Sequence, residues 1–178
     1  RCDFLVNGVR VEGVAPYGPS MSTLPNTGGK PLVGPLVYAG SGDLESIRHL
    51  DLKGAIVLLD MSSVHMRLSF IHGAKAVVFV GDDEATQWNV AHHFSKIPMN
   101  IPRAYVPREV AQKQGWINSV GEVANEASLD LLVTWESRQV SNLCAVIKGK
   151  EGASFNLNSE EGLVLSTRLD TFGAIPDL

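Results

Sequence analysis

The chain has 178 residues, 44% of them hydrophobic and 19% charged, with a formal net charge of −4. That is the balance of an ordinary globular protein, long enough for one domain, or one domain plus part of another, around a sizeable core. The acidic excess and the lack of a basic stripe argue against nucleic acid, and no run of about 18 apolar residues is present to span a membrane. The chain opens Arg1-Cys2-Asp3-Phe4 without Met, as a trimmed or processed product would, and no signal peptide is visible. Cys2 and Cys144 are too few for a disulfide framework or a Cys-rich zinc site. A mutual pair, or one buried and one free thiol, both stay open.

In chain order, β-rich runs bounded by turn residues predict strands at Val9–Val14, Leu32–Ala39, Ala55–Asp60, Ala76–Val80, Ile101–Val106, Leu129–Trp135, Leu143–Lys148 and Leu163–Thr167. Between Val14 and Leu32, Pro16, Gly18, Pro19, Pro25, Gly28 and Gly29 exclude a helix and predict an extended surface loop. A short helix fits Asp43–His49. The strongest helix is predicted over Ser62–Gly73, where Val64, Leu68 and Ile71 recur at i, i+4 and i+7 as a core-facing stripe. Ser62 or Ser63 would cap its start, and Gly73 suits the left-handed position at its end. Strand, helix and strand from Ala55 to Val80 make a compact βαβ unit, expected to be right-handed. Another short helix fits Pro107–Gln114, with Pro at its first position and Gly115 just past its end. This is a mixed α/β chain with more strand than helix.

Few groups outside the tail point to chemistry. His92 and His93 are adjacent, so in an extended segment they face opposite ways, and no Cys or carboxylate stands at ligand spacing from them. His65 and His72 share a helix face, but two turns separate them by about 10.5 Å, too far for one ion. Cys144 lies inside the apolar run Leu143–Ile147, with no electropositive neighbour to activate it. Gly40-Ser41-Gly42 opens a helix and is a weak anion-binding pattern. Nucleophile-elbow, Walker and His-Glu-x-x-His motifs are absent. Residues 1–140 alone read as a binding or structural module. The tail differs: Leu163–Leu165 predict an apolar strand that ends on a polar cluster carrying one carboxylate, Asp170, where α/β enzymes place catalytic and metal groups.

Taken together, the segments resemble a known family. Leu32–Gly42 leads into Leu52-Lys53-Gly54-Ala55-Ile56-Val57-Leu58-Leu59-Asp60, then Gly73-Ala74-Lys75-Ala76-Val77-Val78-Phe79-Val80, then Ile101-Pro102 and the strand to Pro107. In this order and spacing they resemble the protease-associated (PA) domain, over roughly residues 10–136. The loop Ala15–Ser20 is similar to the opening segment of PA domains attached to zinc exopeptidases. The resemblance implies an open β-barrel or sandwich with a few short flanking helices over residues 1–138. Residues 139–178 would begin a peptidase-like α/β domain. There, Val140–Gly149 looks like the first strand of the catalytic domain in di-zinc aminopeptidases and glutamate carboxypeptidase-like enzymes.

In that family a second strand ends in a small residue, His, an aromatic and Asp; the His binds one zinc and the Asp bridges both. Here Thr167, Arg168, Leu169 and Asp170 stand in those places. Asp170 would be the metal ligand, but a guanidinium has no lone pair to give, so Arg168 would fill the metal position with its own charge. Nicastrin-like proteins are similar in carrying Thr-Arg-Leu-Asp at this point on a peptidase-like fold without peptidase activity. The resemblance therefore implies a non-catalytic module for protein or peptide contacts, or a lid on an adjoining, degenerate peptidase-like domain. An accessory domain of an active zinc aminopeptidase or carboxypeptidase and a luminal sorting-receptor domain are the alternatives. Zinc is implied only for the full-length parent, whose other ligands and general-base Glu would lie past Leu178. The implied location is extracytoplasmic. Variable loops on a rigid scaffold carry recognition, so Trp88, Asn89 and Phe94 within Asp82–Lys96 are candidate partner-binding residues, as is the loop 15–31.

Overall fold

The chain opens on a β-hairpin, β1 (Cys2–Val6) and β2 (Val9–Arg10), followed by the short strand β3 (Ala15–Pro16). Then come β4 (Leu32–Tyr38), α1 (Leu44–Ile47), β5 (Ile56–Asp60), α2 (Met66–Ile71) and β6 (Ala76–Val80). The last elements are β7 (Arg103–Val106), α3 (Arg108–Lys113) and β8 (Gly121–Leu131). The computed structural model describes residues 1–18, 25–82, 101–134, 136–137 and 139, and Arg1–Thr134 form one compact unit. The predicted strands at Leu143–Lys148 and Leu163–Thr167 lie outside the described residues.

One eight-stranded sheet runs in the order β2-β1-β8-β4-β5-β6-β7-β3. Its middle, β4 through β7, is parallel, and the flanking strands pair antiparallel. The sheet is curled, and chain length shows why. Seven inter-strand gaps at about 4.8 Å would set β2 and β3 about 34 Å apart in a flat sheet. Arg10 and Ala15 are joined by five peptide steps, a reach of at most about 18 Å. Only a sheet bent back on itself can carry both strands, so the fold is an open barrel with a few short helices.

Alternation along the parallel strands separates two cores. Leu36, Ile56, Leu58, Val78 and Val106 face the concave side, where β1, β8, Trp116 and Ala111 of α3 close over them. Val37, Val57, Leu59, Val77 and Phe79 face the convex side, beneath Ile47 of α1 and the half-buried Met66, Leu68 and Phe70. Burial on both faces explains why β5 and β6 read as unbroken apolar runs. Pro35 sits inside the central strand β4 without breaking it, because the β4–β8 ladder shifts register between Gly34 and Leu36.

The predicted β4, β5 and β6, the βαβ unit and the helices near 44–47 and 108–113 are present, but several bounds and one face differ. Strand Val9–Val14 ends at Arg10; Val11 still donates to the Phe4 carbonyl, and the chain then crosses to α3, where Gly13 lies beside Pro107 and Val110. The strand predicted at Leu129–Trp135 is instead Gly121–Leu131. Its Ala124 and Ala127 are weak apolar markers beside outward Glu122, Glu126 and Asp130, so the alternation is hard to read from side-chain type. Helix α2 starts at Met66, not Ser62. Val64 therefore precedes the helix and is 85% exposed, and Ile71 is 71% exposed. The side turned to the sheet carries the fully buried Ser69, with Met66, Leu68 and Phe70 half-buried against the core, so of the Val64–Leu68–Ile71 stripe only Leu68 packs inward. Ser63 does not cap α2; its Oγ accepts from the His65 N–H one turn earlier, and His65 is the N-cap residue. Gly73 does adopt a positive φ of 91°. Pro107 is the N-cap of α3, one residue before its expected place.

Candidate functional site

Among residues singled out above, Trp88, Asn89, Phe94, His92, His93, Cys144, Arg168 and Asp170 lie outside the described residues. His65 and His72 stand at opposite ends of α2. Among the described residues, no three His, Cys, Asp or Glu side chains gather closely enough to hold a metal ion. Cys2 is a half-buried free thiol on β1, pushed up to about 11 by burial.

Polar side chains do collect at the carboxyl ends of the parallel strands, where open α/β sheets place ligand sites. Asp43, after β4, accepts from the Ser46 N–H at 2.8 Å and from Ser41 Oγ at 2.8 Å. Ser63, after β5, donates to the Ser41 carbonyl at 2.6 Å. Tyr38 donates its hydroxyl to Asp60 at 2.9 Å, and burial together with that bond pushes its phenol up to about 12. These bonds satisfy the groups within the chain. The Gly40-Ser41-Gly42 loop, weakly suggestive of an anion site, uses Asp43 as the anion at the start of α1.

The hydrogen bond from the Ser46 backbone N–H, then that from the Ser41 hydroxyl, hold the Asp43 carboxyl down to about 2. A depressed folded value means that this contribution to stability is complete above the ordinary value of 3.8 and is lost as pH falls through about 2. Asp43→Asn retains a capping oxygen but cannot titrate. Its unfolding midpoint should therefore fall less steeply than wild type across that acid window; parallel pH profiles would contradict the assignment.

One buried charge stands apart. Arg103 on β7 is 1% exposed; its Nη2 donates to the Gly18 carbonyl at 2.6 Å, and its Nε has no hydrogen-bond partner among the described residues. Burial lowers its pKa. It ties the segment after β3 to the sheet, beside Tyr17, which stacks on Phe79 at 4.5 Å.

A concavity among the described residues lies elsewhere, and local sequence builds both of its walls. One wall is the β1–β2 hairpin. Asn7 and Gly8 take φ of 49° and 77°, the type I′ turn that joins twisted strands through two residues. The other wall is the turn after α3. Gly115, at φ 72°, donates to the Gln112 carbonyl, and Trp116 donates to that of Ala111. This is a Schellman cap, with Trp116 as its apolar residue packed over Ala111. Trp116 then meets Phe4 edge-on at 6.0 Å. Between the walls lies a cleft of about 560 Å³. Val6, Val11, Trp116 and Val123 form its apolar side; Asn7, Gln114, Asn118, Ser119 and Glu122 are its polar groups. Neither wall was read as functional from sequence, although Asn-Gly between apolar runs is a strong hairpin signal.

No family model matches the chain, and no curated protein matches it. Solved structures do. The zinc aminopeptidase BSAP from Bacillus subtilis aligns over 73% of this chain at 19% identity with a TM-score of 0.55. The fold is shared with part of that protein. A second, medium-resolution structure of BSAP aligns over 73% at 21% identity with a TM-score of 0.51. The chain spans 29% and 30% of the lengths of those two structures. Identity this low establishes a common fold and nothing about activity.

Proposed function

We propose that this chain is the PA-type module of a larger zinc-peptidase-like protein, working through protein or peptide contacts or as a lid over an adjoining domain. The observation that carries this reading is the coincidence of two likenesses. The segments that resemble PA domains fall on the consecutive parallel strands β4, β5, β6 and β7. The sheet they form is one shared with part of a zinc aminopeptidase. The glycines of those segments also have structural work here, since Gly34, Gly54 and Gly73 meet where β4, β5 and the end of α2 converge.

Zinc belongs to the proposal only for the parent. Asp170 would be a ligand and Arg168 would stand where a second ligand is needed; both lie outside the described residues. A guanidinium donates hydrogen bonds and cannot coordinate, so the parent's metal site is degenerate in this reading. The same resemblance implies an extracytoplasmic location, and no helix among the described residues is long and apolar enough to cross a membrane.

The test is the zinc content of the complete parent, with an Arg168→His variant beside it. Little zinc in wild type and partial recovery in the variant is the expected result. About two zinc ions per wild-type chain, the content of a working di-zinc site, would overturn the degenerate reading. The chain would then be the accessory domain of an active exopeptidase.

A further inference from the structure

The cleft between the β1–β2 hairpin and the turn after α3 carries an inference that rests on the interaction-module reading and names its ligand. We infer that it holds an extended peptide bearing an aliphatic side chain and a nearby amine.

The chemistry of the walls selects that class. The cleft's volume of about 560 Å³ falls in the range of ligand sites. Asn7, Gln114 and Asn118 offer side-chain amides, which donate and accept, as a peptide main chain requires. Among the described lining residues Glu122 alone is charged, and it is exposed. With no Lys, Arg or His among the described lining residues, phosphates and carboxylates would find no counter-charge within the cleft. An amine would find its counter-charge at Glu122. Val9, on the exposed face of β2, and the half-buried Val123 supply the apolar surface for an aliphatic side chain.

The backbone supplies a second recognition element. Strand β2 stands first in the sheet order, so one of its sides has no strand neighbour among the described residues. Phe4 and Val11 share a ladder hydrogen bond, and antiparallel pairing alternates. The intervening Leu5–Arg10 pair is therefore the one whose main-chain groups point away from the partner, which leaves the Arg10 N–H and C=O on the free edge. Val9, 69% exposed, projects into the cleft from this strand. A peptide added alongside Arg10 would place alternate side chains on the Val9 face, toward the cleft.

The experiment titrates the chain with three blocked tripeptides: acetyl-Val-Lys-Val-amide, its norleucine counterpart, and its Glu counterpart. Amide NMR signals of Asn7, Gln114, Asn118 and the Arg10 backbone report binding. Saturable shifts with the Lys peptide are expected, with binding about two- to fivefold weaker for the norleucine peptide, the loss of one exposed ion pair. Glu122→Gln, at an exposed position, should abolish that preference without unfolding the chain. Absence of saturable shifts at these groups, equal binding of the Glu peptide, or a Lys preference that survives Glu122→Gln would overturn the inference. Saturable shifts clustered elsewhere would also overturn the cleft assignment, but would leave the interaction-module reading standing. The parent's zinc content is indifferent to this titration.

Discussion

Gly34→Ala is expected to be among the most damaging single substitutions in the chain, lowering stability by about 3 kcal/mol or more. A Cβ at Gly34 would stand well inside van der Waals contact of the Gly54 carbonyl oxygen, with the Ala55 backbone just behind. That neighbour cannot swing aside as a side chain would. Gly54 has a φ of 75° and donates its N–H to the Gly73 carbonyl at 2.8 Å, while Lys75 donates to the Ala55 carbonyl from the start of β6. Pushing Gly54 away would pull on β5 and β6 together, which sit side by side at the sheet centre. Gly28→Ala is the control. Its φ of 73° imposes left-handed strain of about 1–2 kcal/mol, but its added methyl meets nothing. Chemical denaturation of both variants checks the argument. A Gly34→Ala cost no larger than the control would mean that β4 and the Gly54 turn are free to separate.

The second large effect is expected at Trp116. Its indole is 5% exposed, packs with the concave core and meets Phe4 edge-on. Truncation to Ala should cost about 3–5 kcal/mol, the range for large aromatic side chains in a packed core. Part of that belongs to the aromatic pair. A double-mutant cycle with Phe4→Leu should show a coupling of about 0.5–1.5 kcal/mol. The pairing joins the two walls of the cleft, since Phe4 lies on β1 and Trp116 caps α3. The variant should therefore lose peptide binding at the cleft along with stability. A cost under about 1 kcal/mol would show that Trp116 is not wedged between those walls.

These two residues were legible in the sequence to very different degrees. Gly34 fell within a segment whose likeness to PA domains was visible, yet the reason for glycine there was not. It depends on the close approach of a chain segment twenty residues away, and no local pattern encodes that distance. Trp116 follows Gly115, and a glycine just past a helix end is a stop signal readable from sequence. That the next residue would face the interior of a barrel, against Phe4, needed the curl of the sheet. The turn Asn7-Gly8 carries a local hairpin signal, but the apolar run preceding it, Phe4-Leu5-Val6, is short.

Helix α2 shows the converse, a periodicity that pointed the wrong way. Val64, Leu68 and Ile71 keep helical spacing, but the helix begins two residues after Val64, so the stripe is not continuous on the real element. Which face is buried was decided by packing on the sheet beside β6, where Ser69 is buried and Met66, Leu68 and Phe70 meet the core. Local pattern competes with tertiary contact on short helices, because few turns exist to average over.

By itself, the sequence determined the mixed class, the apolar strands β5 and β6 and the helix between them. Unbroken apolar runs are forced on strands buried from both sides, and glycine at positive φ is forced by sterics; both are local requirements. Only the tertiary structure decided that the sheet curls, because that follows from which strands β1, β3 and β8 join. The same pairing brings Asn7, Trp116 and Glu122, more than a hundred residues apart in part, around one cleft. No sequence spacing could announce that meeting, since the curl sets it and the curl is a property of the whole sheet.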